Sequence, residues 1–190
     1  MIHKNERGKV NPVAQLIMTW QNDGTPAVTP HLPAGVSVRT LAETPEGIDW
    51  WLDIVQYMGR EPQQRDRAYY DRAMTARPLY APSDCFLLMV DGIPAATVTV
   101  ICDEEKKEGY IHMVACKPDF RGRGLGHLLN DLALYTLKTR RMQTAWLTTD
   151  DWRIPAIRTY LKAGFRPDTH SQPDFADRWQ NILAVIHADR

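Results

Sequence analysis

Three glycines within five residues, Gly122-Arg123-Gly124-Leu125-Gly126, constrain this chain more than any other feature. An apolar strand ending Val114-Ala115-Cys116 leads into them through a Pro118 turn, and Leu125, Leu128, Leu129 and Leu132 follow at helical spacing. A strand, glycine loop and helix in that order expose consecutive backbone N–H groups, because no side chain at the glycines blocks close approach. The helix start adds further free N–H groups and the positive end of its dipole. The result is a site for phosphate oxygens, with Arg121 and Arg123 adding charge. No Gly-Lys-Ser/Thr follows, so the loop is not a P-loop. His127 stands where a dinucleotide fingerprint starting at Gly122 needs its last glycine.

The 190 residues suffice for one domain with a sizeable core. Lys plus Arg and Asp plus Glu number 23 each, so no basic excess points to nucleic acid. Cys85, Cys102 and Cys116 are widely spaced and odd in number. That argues against a disulfide framework or a zinc site and suits a reducing compartment. No apolar run reaches the roughly 18 residues of a membrane span, and the start lacks a signal-peptide core. The expectation is a cytoplasmic protein with no metal, no membrane and no nucleic acid partner.

Along the chain, residues 1–9 are polar and expected to be loose. Val13 to Trp20 reads as a strand buried on both faces, and Gln21 to Gly35 as a linker. Val36 to Leu41 is the first core strand. Thr44 caps a helix running to Tyr57 or Met58, with Pro45 in its first turn. Gln63 to Ala76 is a second helix carrying Tyr69, Tyr70 and Met74. Asp84–Val90 and Ile93–Cys102 form a hairpin through Asp91-Gly92, and residues 103–109 make a solvated charged turn. Strands at 110–116 and 144–149 bracket the helix behind the glycine loop, which ends near Arg140-Arg141. Asp151 caps the helix Pro155–Ala163, which Gly164 stops. The tail from Pro173 is an amphipathic helix with Phe175, Trp179, Ile182, Leu183 and Ile186.

The spacing Arg121-x-x-Gly124-x-Gly126 resembles the pyrophosphate loop of the GNAT superfamily of N-acetyltransferases, Gln/Arg-x-x-Gly-x-Gly/Ala. A second stretch, Ala156-Ile157-Arg158-Thr159-Tyr160-Leu161-Lys162-Ala163-Gly164-Phe165, resembles that family's later motif, Ala-x-x-Leu-Tyr-x-Lys-x-Gly-Phe. It begins 30 residues after Gly126, about where the family places it. The resemblance covers Val36 to Pro167. It implies an α/β fold with a mixed sheet over residues 36–170, preceded by a strand extension and linker (1–35) and followed by a C-terminal helix (171–190). GNAT folds usually close with two strands after the tyrosine-bearing helix, yet only 25 residues follow Phe165. The N-terminal strand, or a partner chain, is therefore expected at the vacant sheet edge.

The resemblance also implies a chemistry: acetyl transfer from acetyl-CoA to a primary amine, on a small molecule, by direct attack in a ternary complex. Strand 110–116 would splay from strand 144–149, with the backbone of Val114, Ala115 and Cys116 pairing with the pantetheine arm. Arg121, Gly122, Arg123, Gly124, Leu125, Gly126 and His127 would hold the pyrophosphate. Tyr160 aligns with the family's general acid. His112, two residues from Tyr110 and on the same strand face, is a candidate base; Asp150 is its rival, as base or as anchor for a cationic amine. Arg153 stands seven residues before Tyr160, where many members carry a cofactor-touching Asn. It is assigned to the cofactor without the Asn's role. A non-catalytic acyl-CoA-binding module is the alternative, an unrelated nucleotide-binding domain a third, and the tail helix offers a face for a homodimer.

Overall fold

The computed structural model describes residues 14–188. The polar start at 1–9 and Val13 of the first expected strand lie outside them. Alternation along one strand divides the core. In β3 (Cys85–Val90), Cys85, Leu87 and Met89 pack to one side, against Trp51, Ile54 and Val55 of α1 (Gly47–Val55) and against Tyr70 and Met74. Leu88 and Val90 pack to the other, with Leu125, Leu129, Leu132 and Leu137 of α3 (Leu125–Thr139). A strand covered on both faces explains why its sequence is continuously apolar.

β3 pairs antiparallel with β2 (Val36–Thr40) and β4 (Ile93–Asp103). The β3–β4 turn is built on Asp91 (φ 49°) and Gly92 (φ 80°), the two left-handed residues that an Asp-Gly hairpin requires. β5 (Glu108–Cys116) follows β4, and β6 (Thr144–Thr149) lies parallel to β5. Between β4 and β5 the chain turns at 103–107, where Lys106 and Asp103 pair at the solvent-facing tip.

The N-terminal strand fills the vacant edge. β1 (Leu16–Gln21) runs antiparallel to β6 on one side and to β7 (Arg166–Pro167) on the other, completing a seven-stranded sheet ordered β2-β3-β4-β5-β6-β1-β7. It is buried on one face, not two: Leu16, Met18 and Trp20 enter the core, whereas Thr19 and Gln21 are exposed. α4 (Ile154–Lys162) and α5 (Phe175–Ala188) join the same core as α3, with Phe175, Trp179, Ile182 and Ile186 buried. The apolar stripe of the tail thus lies against its own chain and is not held open for a second copy.

Three local expectations are corrected. Thr44 does not cap α1; its hydroxyl donates to the Thr40 carbonyl, and the helix begins at Gly47. Asp151 does not cap α4; Arg178 of α5 grips it, with Nε 3.0 Å from Oδ2. The second helix is short: Asp66 caps α2 (Arg67–Tyr70) by accepting from the Tyr69 N–H at 2.8 Å, and a wide turn over 71–75 ends it.

Candidate active site

The β5–β6 pair holds only from Glu108 opposite Thr144 to Ile111 opposite Leu147. Beyond that, β5 continues beside β4 alone and β6 beside β1 alone. The two parallel strands therefore part, leaving backbone at His112–Cys116 without a strand partner on that edge. A bulge lies in the parting segment. Thr97 faces Ala115 and Thr99 faces His112, so β5 carries one extra residue, with Met113 at φ 56°. The bulge inverts the alternation. Tyr110 and His112 share one face, as expected, but Met113 and Ala115 now pack with α1, while Val114 and Cys116 pack on the α3 side.

Guanidinium groups occupy the edge thus opened. Arg153 Nη2 donates to the Val114 carbonyl at 2.9 Å. Arg121 Nε donates to the Cys116 carbonyl and its Nη2 to the Tyr57 carbonyl, both at 3.2 Å, tying the glycine loop to the end of the α1 region. An extended residue directs its N–H and C=O to the same edge, so Val114 presents its N–H to the gap as well.

Gly122 (φ 76°) and Gly124 (φ 79°) hold the loop in left-handed conformation, and a Cβ at either would meet no protein atom within 4 Å. The loop is open to solvent, not closed by its own side chains. Gly126 differs: its added Cβ would meet Thr159 of α4 at 3.5 Å, an ordinary contact. His127 is exposed, and its N–H already donates to the Gly124 carbonyl at 3.0 Å, so it is spent in the first turn of α3. Arg123 is exposed and lies over the Phe120 ring.

A cleft of about 380 Å³ opens where the strands part. Tyr110, His112, Val114, Arg153 and Tyr160 line it, joined by Tyr69, Arg72 and Arg77 from the α2 region and by Gln15 ahead of β1. Tyr160 is 2% exposed, and its hydroxyl has no hydrogen-bond partner among the described residues. Burial pushes its pKa above the ordinary value near 10, against the pull of Arg153, so the phenol keeps its proton at neutral pH.

His112 is held at both nitrogens. Nε2 lies 2.9 Å from the Ala73 carbonyl, which only accepts, so Nε2 carries the proton. Nδ1, 3.0 Å from the Tyr110 hydroxyl, is then the acceptor. Tyr110 itself stacks on Trp146 with ring centroids 4.0 Å apart. Burial pushes the imidazole down to about 4; the Ala73 carbonyl opposes this and the Arg77 charge adds to it. The unfolded chain therefore takes up a proton here before the folded one does. Folding stability should fall as pH drops from about 6.5 through about 4, by ~3 kcal/mol in full, and this group adds no pH dependence above that window. Chemical denaturation of wild type and His112→Gln at pH 7 and pH 4.5 checks this: the variant should lose less stability on acidification.

Asp150, the rival base, does not line the cleft; its carboxylate accepts from Gln15 Nε2 at 3.1 Å. Tyr70 and Met74 of the expected second helix are core residues, and Tyr70 meets Trp51 edge to face. Gln15, Arg72 and Arg77 were not singled out in the sequence. Arg72 falls inside the expected second helix and Arg77 one residue beyond it, and that proximity is the available signal. Gln15 had none, since its approach depends on β1 pairing with a strand over 100 residues away. Among the described residues, no group of three or more His, Cys, Asp or Glu is placed to hold a metal, and no helix is long and apolar enough to cross a membrane.

The model of the acetyltransferase (GNAT) family matches residues 49–165. A mycothiol acetyltransferase of Streptomyces coelicolor is 30% identical over 139 residues, covering 72% of this chain and 44% of the relative. One from Tsukamurella paurometabola is 36% identical over 146 residues, covering 72% of this chain and 50% of the relative. The chain spans about half the length of the curated relatives it matches. A solved GCN5-related N-acetyltransferase from Sphaerobacter thermophilus shares the fold, with a TM-score of 0.61 at 18% identity over 80% of this chain and 48% of that one.

Proposed function

The chain belongs to the acetyltransferase (GNAT) family, and from that premise we propose that it transfers an acetyl group from acetyl-CoA to the primary amine of a small molecule, with both bound at once. The observation that carries this is the parting of β5 from β6 into a cleft that holds Tyr160, beside an open glycine loop. Relatives named mycothiol acetyltransferase support a small-molecule acceptor.

The residues present fit the donor. Backbone N–H groups of Gly122 through Gly126 have no partner among the described residues and face a space that no protein atom fills at Gly122 and Gly124. Arg121 and Arg123 add charge there, and the free edge at Val114 and Cys116 would take the amide-bearing arm, much as a sheet edge takes an added strand. Arg153 and Arg121 now bond those two carbonyls and would have to release them. Acetyl-CoA supplies an acyl group already activated as a thioester.

The Val114 N–H is suited to polarise a carbonyl oxygen. Tyr160, buried and protonated, donates its phenol proton to the departing sulfur. The Tyr110 hydroxyl takes the proton from the acceptor amine while passing its own to His112 Nδ1, so the histidine acts through the tyrosine and not at the amine directly. An imidazole held near 4 accepts that proton only transiently and returns it to solvent. Calorimetric titration with CoA, followed by thiol release from acetyl-CoA across an amine panel, tests the proposal. Heat together with amine-dependent thiol release supports it. Heat without turnover of any amine favours the non-catalytic binding module, and tighter binding of ATP or NAD than of CoA sinks both.

A further inference from the structure

Among the described residues, the cleft is lined by Arg72, Arg77 and Arg153 and by no aspartate or glutamate. That is an unusual lining for a site taking an ammonium, because like charges repel. The three cations are not equally free. Arg153 is engaged with the Val114 carbonyl. Neighbouring arginines of the same wall are also engaged: Arg67 pairs with Asp71 at 3.6 Å, and Arg65 lies 4.0 Å over the Tyr69 ring. Arg72 and Arg77 have no carboxylate partner among the described residues. Arg77 also borders a smaller recess shared with Asp103 and Glu108, yet makes no ion pair with either, and Asp103 is paired with Lys106. The charge of Arg77 is felt inside the cleft, since it acts on His112.

Two arginines lining a cleft, with no carboxylate partner and no carboxylate beside them among the described residues, are a recognition surface for an oxyanion, which guanidinium binds through paired N–H donors. Resting on the acetyltransferase reading above, we propose that the acceptor is zwitterionic: a primary amine on a small molecule that also carries a carboxylate, which Arg72 and Arg77 bind. Its anionic end offsets the cations, so the amine enters a cleft that would turn away polyamines and lysine-rich peptides. The cationic lining also lowers the proton affinity of the bound ammonium, which favours the neutral, nucleophilic amine.

Matched pairs test this: glycine against glycinamide, β-alanine against β-alaninamide, and phosphoethanolamine against ethanolamine, each with saturating acetyl-CoA. The acid of at least one carboxylate pair should exceed its amide by about tenfold or more in kcat/KM, chiefly through KM. Arg77→Gln should shrink that ratio toward one, and Arg72→Gln should do so independently. Both side chains are exposed, so neither substitution threatens the core. A preference confined to the phosphate pair overturns the carboxylate assignment. Equal or better turnover of amides, diamines or peptide N-termini, or no acetylation of either member of any pair by protein that still binds CoA, overturns the proposal alone. Loss of CoA binding instead removes the acetyltransferase reading beneath it.

Discussion

Tyr160→Phe is expected to lower turnover by about 10²–10⁴-fold while leaving CoA affinity unchanged, the range that a positioned general acid contributes. The variant removes one oxygen from a side chain at the floor of the cleft. That oxygen bonds nothing in the described chain, so its loss breaks no internal hydrogen bond, and the fold should be as stable or slightly more so. What is lost is a proton donor. Burial raises the phenol's pKa, so the wild-type acid stays protonated through the neutral and mildly alkaline range, and wild-type activity should not fall on its account there. Single-turnover kinetics at saturating acetyl-CoA, with calorimetry of CoA binding, separate the effects. Full turnover in the phenylalanine variant would end the acid assignment, whereas a parallel loss of CoA affinity would make Tyr160 a cofactor contact only.

How much of this was legible in the sequence follows the range of the interactions involved. Asp91-Gly92 and Gly164 announce themselves because their left-handed φ values are local demands. The glycine loop and the tyrosine helix are likewise local, and their order and spacing carried the family resemblance. Capping by Asp151 failed for the opposite reason: it is a good cap residue in isolation, but Arg178 reaches it from 27 residues away. Thr44 failed within its own turn, because its hydroxyl found the Thr40 carbonyl four residues back. The bulge at Met113 was invisible because it is a mismatch between two strands, and neither strand records it alone. That mismatch matters for the site: it leaves Tyr110 and His112 on the α2 side while turning Val114 and Cys116 toward α3. The burial of the tail helix was half legible. Its stripe was plain, but not that its own chain would cover it.

Gly124→Ala should weaken CoA binding by about 30- to 100-fold, and a matched control shows why strain alone is not the cause. Gly124 and Gly92 have nearly the same left-handed φ, 79° and 80°, and a Cβ at either meets no protein atom within 4 Å. An alanine at each site therefore carries the same left-handed penalty, about 1–2 kcal/mol, with no clash to add. The stability loss should match between the two variants in denaturant titrations. Only one of them lies beside the N–H groups that start α3. There the new methyl occupies the space a phosphate would enter and tilts the donors away from it, and losing one or two charge-assisted hydrogen bonds accounts for about 2–3 kcal/mol. Gly92, at the β3–β4 turn, should leave CoA affinity untouched. If both variants bind CoA alike, the loop is merely a turn between β5 and α3, and the diphosphate must be held elsewhere.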